Sequence, residues 1–282
     1  MVKQNTPEWL ELRKTKIGAS DAPIIMGVSP WKTPYELWQL KSGIVPDEKT
    51  NRYQQRGHDL EEAALLAYNE YTGNNAAPRV CFSPHHAWMM ASLDGYDLKN
   101  RMIVEIKCPG EKDHAIAMRK KVPEKYFPQL QHQLAVTGLD MLHYWSFSEQ
   151  SRHLVEVCRD DNFIKEMINR ESVFYRSMVE GVPPELTDRD YVQRKDLEFF
   201  MAEQRFYSAK QKLEKARDEE LEARKYLIKL SDGHSSAGAM TKVRKVIRKG
   251  SVDYSKVPEL MHVNLDDYRA SSSQSWRITL TD

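Results

Sequence analysis

Two acidic residues on either side of one short turn constrain the fold of this chain more than any other feature. The only turn-like segment between Asp94 and Glu105 is residues 98–101 (LKNR), so a β-hairpin centred there pairs residues whose numbers sum to 199. In that register Asp94 lies directly opposite Glu105, with Cβ atoms roughly 5 Å apart. Lys107 shares the face of Glu105 because side chains alternate along a strand. The sequence therefore predicts a hairpin that brings two carboxylates and one lysine together.

Like charges that face each other destabilise a sheet, so this pair of carboxylates needs a compensating charge. Mg²⁺ prefers oxygen ligands, commonly one or two carboxylates with water and substrate phosphates. A metal can also generate the nucleophile that attacks a phosphodiester. The strand at residues 102–107 is otherwise apolar (MIVEIK), which places its charged residues near a core where unpaired charge is costly. These residues alone leave two interpretations open: a metal-dependent hydrolytic site, or an exposed hairpin with an ordinary Glu and Lys face.

Motifs along the first half of the chain resemble the phage exonucleases of the lambda-exonuclease and YqaJ type, which belong to the restriction-endonuclease-like (PD-(D/E)xK) nucleases. The similar segments follow the order of the family over about residues 6–160. They are residues 7–13 (PEWLELR), 17–21 (IGASD), 27–38 (GVSPWKTPYELW), 57–61 (GHDLE), 92–95 (SLDG), 105–109 (EIKCP) and 126–131 (YFPQLQ).

This resemblance implies an enzyme, a Mg²⁺-dependent 5′→3′ exonuclease acting on double-stranded DNA ends. It would generate 3′ single-stranded overhangs for phage-type recombination beside a single-strand DNA-annealing protein. The alternative is a structure-selective or endonucleolytic DNA-repair nuclease of the same superfamily. A catalytically idle DNA-binding protein is disfavoured because Asp94, Glu105 and Lys107 are all present.

The resemblance also assigns roles within the site. It implies that Asp94, Glu105, the Ile106 carbonyl and Glu61 hold one or two Mg²⁺ ions, with Mn²⁺ as a substitute. Lys107 would orient the attacking water or help to deprotonate it.

A glutamine is expected beside these groups, and the resemblance favours Gln131. Residues two apart on a helix do not face each other, so only Gln129 and Gln133 share a face. Spacing alone does not choose among them, and Gln129 remains an alternative.

A second set of residues is implied to bind a terminal 5′-phosphate. Arg13 matches the family position for this role, with Ser20 adding a hydroxyl donor and Trp9 framing the pocket. Arginine suits the role because its planar guanidinium makes bidentate, charge-assisted hydrogen bonds to phosphate.

Periodicity and turn signals predict an α/β fold with a C-terminal helical and small β extension. The resemblance implies that its core is restriction-endonuclease-like, with a central mixed β-sheet flanked by helices. We expect three regions: the nuclease core at 1–185, a long helix within 186–232, and a basic extension at 239–282. Predicted strands cover 79–83, 88–93, 142–147, 153–157 and 275–280, and a predicted hairpin covers 96–107. Residues 8–21 are predicted to be a helix entering a turn, and another helix begins near residue 34. Further helices are predicted at 53–71, 114–121, 126–138 and 160–181.

The long helix carries a heptad pattern typical of a coiled coil or helical hairpin. One position of the repeat holds Phe199, Phe206, Leu213, Glu220 and Leu227, and the other holds Ala202, Ala209, Ala216, Ala223 and Leu230. Small residues at the second position let a partner helix approach closely. Docking on the chain's own core and self-association are equally compatible with this pattern.

The extension contains a basic cluster that is a candidate DNA contact, formed by Lys242, Arg244, Lys245 and Arg248. A hairpin that contacts phosphates and a merely solvated strand face explain this cluster equally well. The resemblance further suggests a homo-oligomeric ring around DNA, with a trimer favoured over a tetramer.

Composition excludes several other classes. The formal net charge is only +1, which disfavours a protein that coats DNA passively. The three cysteines Cys81, Cys108 and Cys158 are too few for a four-cysteine iron–sulfur site and do not suggest a disulfide framework. His85 and His86 are adjacent and diverge in a regular element, so they are poor zinc co-ligands. No segment resembles a signal or membrane span, so we expect a cytoplasmic protein of a bacterial host, encoded by a phage or prophage.

Overall fold

The structure is a computed structural model that describes residues 2–4, 6–46, 52–148 and 150–246, and only the backbone for 52–59. The chain divides into two units, Met1–Val192 and Gln193–Asp282. The helices of the first unit are α1 Pro7–Thr15, α2 Ala22–Ile25, α3 Pro34–Lys41, α4 Arg52–Thr72, α5 Glu111–Met118, α6 Phe127–Thr137 and α7 Asp161–Glu180. Its strands are β1 Ile17–Gly18, β2 Ala77–Phe82, β3 Met89–Asp97, β4 Met102–Lys107, β5 Met141–Phe147 and β6 Arg152–Cys158.

A mixed sheet forms the centre of this first unit. The strand order is β1-β3-β4-β5-β6, with β2 antiparallel to β3. Strands β3 and β4 form an antiparallel hairpin, β4 and β5 run parallel through the crossover that contains α5 and α6, and β5 and β6 are antiparallel. The prediction of an α/β fold with a mixed sheet flanked by helices is confirmed.

Helices cover the sheet from two sides because its strands carry apolar side chains on both faces. On one face α6 and α7 contribute Leu130, Leu134 and Met167 to the largest core cluster. On the other face α4 packs Ala64 and Tyr68 against Trp145 of β5. Helix α6 ends at Gly138, whose φ of 67° is a left-handed conformation that glycine adopts without steric cost.

The register predicted for the β3–β4 hairpin is confirmed. Asp97 pairs with Met102 and Gly95 pairs with Val104, and in each pair the residue numbers sum to 199. On the N-terminal side of Gly95, β3 is no longer paired with β4. The same edge of β3 pairs instead with β1, at Met89 and Met90. Asp94 therefore lies at a fork between two partner strands.

Element bounds differ from the sequence-based prediction in two places. The segment 8–21 was expected to be a helix entering a turn, but α1 ends at Thr15 and is followed by the short parallel strand β1. The helix predicted at 114–121 begins earlier, at Glu111, and ends at Met118 before Lys120 with φ of 57°. The strand predicted at 275–280 lies outside the described residues.

The division between the units falls after Val192, whereas the predicted core ended at residue 185. Two contacts tie the intervening segment to the first unit. The Arg189 guanidinium donates to the carbonyls of Ser29 and Pro30 at 2.8 and 3.0 Å, and the Thr33 hydroxyl hydrogen-bonds Asp190.

The second unit contains the long helix α8, Leu197–Leu230, and a short antiparallel pair of strands, β7 Ser236–Ala237 and β8 Lys242–Val243. The Asp196 side chain caps α8 by accepting a hydrogen bond from Phe199 N at 3.0 Å. The prediction of one continuous helix here is confirmed, and none of its side chains is buried. Among the described residues of both units, no helix is long and apolar enough to cross a bilayer.

Candidate active site

Three of the predicted catalytic side chains meet at the fork between β3 and β4. Asp94 projects from β3, and its Oδ2 accepts a hydrogen bond from the backbone N–H of Ile106 at 2.8 Å. This bond lies just beyond the last backbone pair of the hairpin, so the carboxylate replaces a strand partner where the ladder opens. Glu105 is buried, and Lys107 donates a hydrogen bond to its Oε1. The hairpin thus brings Asp94, Glu105 and Lys107 together as predicted.

Two glutamines of α6 complete the coordination of Glu105. Gln129 donates its amide to Oε1 and Gln133 donates to Oε2. These residues are four apart and share one face of the helix, which is the face turned toward β4. Both oxygens of Glu105 therefore have donors, as a buried carboxylate requires.

Gln131 does not belong to this cluster, and its predicted placement in the active site is wrong. Its amide nitrogen donates to the carbonyl of Cys158 at 2.9 Å, and its oxygen accepts from the backbone N–H of Asp160 at 2.8 Å. Gln131 is fully buried and joins α6 to the turn between β6 and α7. The retained alternative, Gln129, and its neighbour Gln133 occupy the site instead.

The site concentrates negative charge. Burial raises the pKa of Asp94 well above its usual range, and the nearby charges of Glu105 and Glu61 raise it further. Glu61, on α4 and half-buried, is thus close enough for its charge to reach Asp94. Burial alone would lower the pKa of Lys107, but the carboxylates of Glu105 and Asp94 outweigh it and raise that pKa above its ordinary value. Lys107 is therefore an ammonium group in this environment.

The donor atoms at the fork fit a hard divalent cation. As the side chains stand, no three Asp, Glu, His or Cys residues in the described part of the chain are arranged to hold a metal ion. The oxygens of Glu105 are turned toward Lys107 and the two glutamines instead. Nevertheless, Asp94, Glu105 and Glu61 offer the carboxylate oxygens that Mg²⁺ prefers. Their mutual repulsion, which raises the pKa of Asp94, is relieved when a cation binds between them.

The predicted phosphate-binding residues also come together. The Arg13 side chain donates to Ser20 Oγ at 3.0 Å, and its guanidinium carbon lies 4.6 Å from the centroid of the Trp9 ring. The Trp9 indole N–H in turn donates to Ser92 Oγ at 2.8 Å. Because Ser92 and Asp94 are on the same strand, this contact ties the pocket to the strand that carries Asp94.

A buried ion pair that no sequence pattern marks supports this pocket. Lys41 Nζ lies 2.7 Å from Asp21 Oδ2 and donates to the carbonyls of Arg13 and Lys16 at 2.8 Å each. Burial would raise the pKa of Asp21, but the charges of Lys41 and Arg13 outweigh it and lower that pKa. Asp21 also accepts from Gly18 N at 2.8 Å. The pair therefore fixes both segments that present Arg13 and Ser20.

Three residues of the basic cluster in the second unit are described. Lys242, Arg244 and Lys245 are exposed near the β7–β8 pair. Arg248 lies outside the described residues.

Comparisons with known proteins point in one direction. Residues 8–140 match the model of the YqaJ-like viral recombinase domain. The uncharacterized protein YqaJ of Bacillus subtilis (strain 168) is 30% identical over 180 residues, which are 62% of this chain and 56% of that protein. The chain thus spans little more than half the length of this curated relative.

Two solved structures of one protein are also similar. The alkaline exonuclease LHK-Exo from Laribacter hongkongensis superposes with a TM-score of 0.55 at 26% identity, over 63% of this chain and 94% of that one. The structure of LHK-Exo in complex with dAMP gives the same TM-score and coverage at 27% identity.

Proposed function

We propose that this protein is a metal-dependent DNA exonuclease, since residues 8–140 match the model of the YqaJ-like viral recombinase domain and the sequence motifs resemble the same family. It hydrolyses one strand of duplex DNA from the 5′ end and leaves a 3′ single-stranded overhang for recombination by strand annealing. The observation that carries this proposal is the convergence of Asp94, Glu105 and Lys107 at the β3–β4 fork. The complex of LHK-Exo with dAMP supports the release of nucleoside 5′-monophosphates as products.

The side chains at the fork divide the work of hydrolysis. Asp94, Glu105, Glu61 and the Ile106 carbonyl would hold a divalent cation, Mg²⁺ with Mn²⁺ as a substitute, with one or two ions in each site. When bound, it supplies Lewis acidity toward the phosphate and an activated water. Gln129 and Gln133 keep Glu105 in place. Lys107, which hydrogen-bonds Glu105 beside the metal ligands, orients the attacking water or helps to deprotonate it.

The pocket at Arg13 chooses the DNA end. The Arg13 guanidinium and the Ser20 hydroxyl bind the terminal 5′-phosphate, and the contact from Trp9 to Ser92 sets the distance between that phosphate and the site at Asp94.

Processive digestion follows from a ring of three subunits around the DNA. A single-strand DNA-annealing protein receives the overhang. The mass of the protein in solution tests the ring: a monomer or a tetramer contradicts the trimer.

A comparison of DNA topologies tests the activity. With Mg²⁺, linear duplex should be degraded and covalently closed circles should stay intact. Strands labelled at the 5′ end should release label as mononucleotide before strands labelled at the 3′ end do. Cutting of circles would favour the alternative, a structure-selective or endonucleolytic repair nuclease. No cutting of either substrate, with Mg²⁺ or Mn²⁺, would leave only a DNA-binding role.

Arg13→Ala tests the pocket. The wild type should degrade 5′-phosphorylated ends faster than 5′-hydroxyl ends, and the variant should lose this preference by slowing only on phosphorylated ends. Lys14→Ala is the matched control, because Lys14 is also on α1 and its charge is paired with Glu11 at 2.7 Å. Unchanged discrimination in Arg13→Ala would refute the assignment.

A further inference from the structure

Trp31 is a largely exposed aromatic side chain on a loop that several hydrogen bonds fix in place. It is 62% exposed, whereas Trp9, Trp38 and Trp145 are buried. The loop between α2 and α3 is fixed by several contacts: Ser29 Oγ accepts from Trp31 N at 3.3 Å, and the guanidinium of Arg189 donates to the carbonyls of Ser29 and Pro30. The exposure of Trp31 is therefore built into the fold.

One face of the Trp31 ring begins a column of aromatic rings that reaches the catalytic cluster. Its centroid lies 6.3 Å from that of Tyr126, with 27° between the planes, and Tyr126 stacks in turn on Tyr144 at 6.2 Å. Lys107 Nζ lies 5.5 Å from the centroid of the Tyr126 ring. Trp31 thus stacks directly on the ring that the catalytic lysine contacts.

Positive charge accompanies this column. Lys125 Nζ lies 4.9 Å from the centroid of Trp31 and 5.2 Å from that of Tyr126, and it pairs with Asp113 at 2.7 Å. A largely exposed aromatic ring with a lysine beside it offers a stacking surface for a base and a cation for a phosphate, the two parts of a nucleotide. Bases stack on aromatic side chains whatever their sequence, and the backbone phosphates follow the cations.

We propose that Trp31 is a stacking platform for a nucleobase of the strand being hydrolysed, with Lys125 beside the phosphate of that nucleotide. The proposal rests on the proposed function, which places the scissile phosphate at Lys107. The base that stacks is the one at the scissile phosphate or its immediate neighbour, because Trp31 stacks directly on Tyr126, the ring that Lys107 contacts. Stacking there holds the end of the strand unpaired and in line with the catalytic groups.

Removing either partner of the contact gives a direct test. A linear duplex with a 5′-phosphate receives a single abasic nucleotide at the first, second, third or fourth position of the hydrolysed strand. Affinity is measured in EDTA, where no metal is available, and single-turnover cleavage is measured with Mg²⁺. The proteins are wild type, Trp31→Ala, Trp31→Phe and Tyr71→Ala. Tyr71 is an equally exposed aromatic residue that leans on Trp145, on the sheet face covered by α4, and so serves as the matched control.

The wild type should lose roughly tenfold in affinity or rate when the stacked base is missing at one of the first positions. Trp31→Ala should show a similar loss on intact DNA and no further loss at that position, because both changes remove the same contact. Trp31→Phe should recover most of the effect, and Tyr71→Ala should behave as wild type.

An abasic penalty in Trp31→Ala equal to that of the wild type at every position would overturn the proposal. So would a Tyr71→Ala variant that loses the penalty as Trp31→Ala does. The affinity arm requires no hydrolysis. A wild type that binds with the position-dependent penalty but degrades no DNA would therefore reject the proposed function while retaining the stacking site.

Discussion

Glu105 and helix α8 differ sharply in how far the rest of the protein surrounds them. Glu105 is 1% exposed, and each of its oxygens accepts hydrogen bonds from residues of the same unit. Helix α8 has no buried side chain, and Phe199, Leu213 and Leu227 of its heptad are all at least 38% exposed. A buried charge needs hydrogen-bond or ion-pair partners within the fold, whereas an exposed apolar face is available to bind another protein surface. Changes at the fork should therefore affect chemistry, and changes on α8 should affect stability or association.

The largest effect is expected from removing the carboxylate at the fork. Asp94→Ala should abolish hydrolysis of linear duplex, because it deletes a proposed metal ligand and the acceptor for Ile106 N. DNA binding should persist or strengthen, since negative charge near the phosphates is lost. Glu62→Ala is the control, because Glu62 is an exposed carboxylate next to Glu61 and should keep full activity. Near-normal turnover in Asp94→Ala would sink the assignment of this site.

A smaller but still large effect is expected at Lys107. Lys107→Ala should slow cleavage by about two orders of magnitude or more, the range for a positioned acid–base group. Because Lys107 also neutralises Glu105, metal affinity should rise in the variant while the rate falls. Single-turnover rates measured across a Mg²⁺ titration separate the two effects. A rate that recovers fully at high Mg²⁺ would contradict a direct role for the ammonium group.

The glutamines of α6 separate catalysis from folding. Gln133→Ala removes the donor that Oε2 of Glu105 has among the described residues, so turnover should fall by roughly tenfold or more, the loss that an unpaired buried acceptor implies. Gln131→Ala removes two bonds to the Cys158–Asp160 turn instead, so it should lower stability by about 1–3 kcal/mol with little change in rate per folded molecule. Thermal melts and rates measured on the same preparations distinguish them. A catalytic defect confined to Gln131→Ala would restore the original assignment.

These glutamines also show how far sequence can predict this site. Helical spacing grouped Gln129 with Gln133, and the structure agrees, whereas family resemblance pointed to Gln131. The hairpin register followed from one turn and the alternation of side chains, which are local properties of the sequence. The Lys41–Asp21 pair joins residues twenty positions apart through tertiary packing, and no local pattern marks it. Local geometry was therefore predictable, and contacts between distant segments were not.

The smallest effects are expected in the second unit. Substitutions in α8 should change stability or subunit association, and substitutions in the basic cluster should change DNA binding. Ala209→Arg and Ala216→Arg put bulk and charge into the heptad face, so each should cost about 1–3 kcal/mol of stability or weaken subunit association. Gln204→Arg and Gln211→Arg are the controls, because they add the same side chain on the other face of α8.

Neutralising Lys242, Arg244, Lys245 and Arg248 to Gln should leave the melting temperature unchanged. It should reduce the salt dependence of duplex binding by about 0.9 in log–log slope for each lost phosphate contact. The same substitution at Lys210, Lys212, Lys215 and Arg217 matches the charge change and should leave that slope near the wild-type value. If instead the tail variant keeps the wild-type slope, its basic residues do not touch phosphate, and a protein partner becomes the better explanation for the cluster.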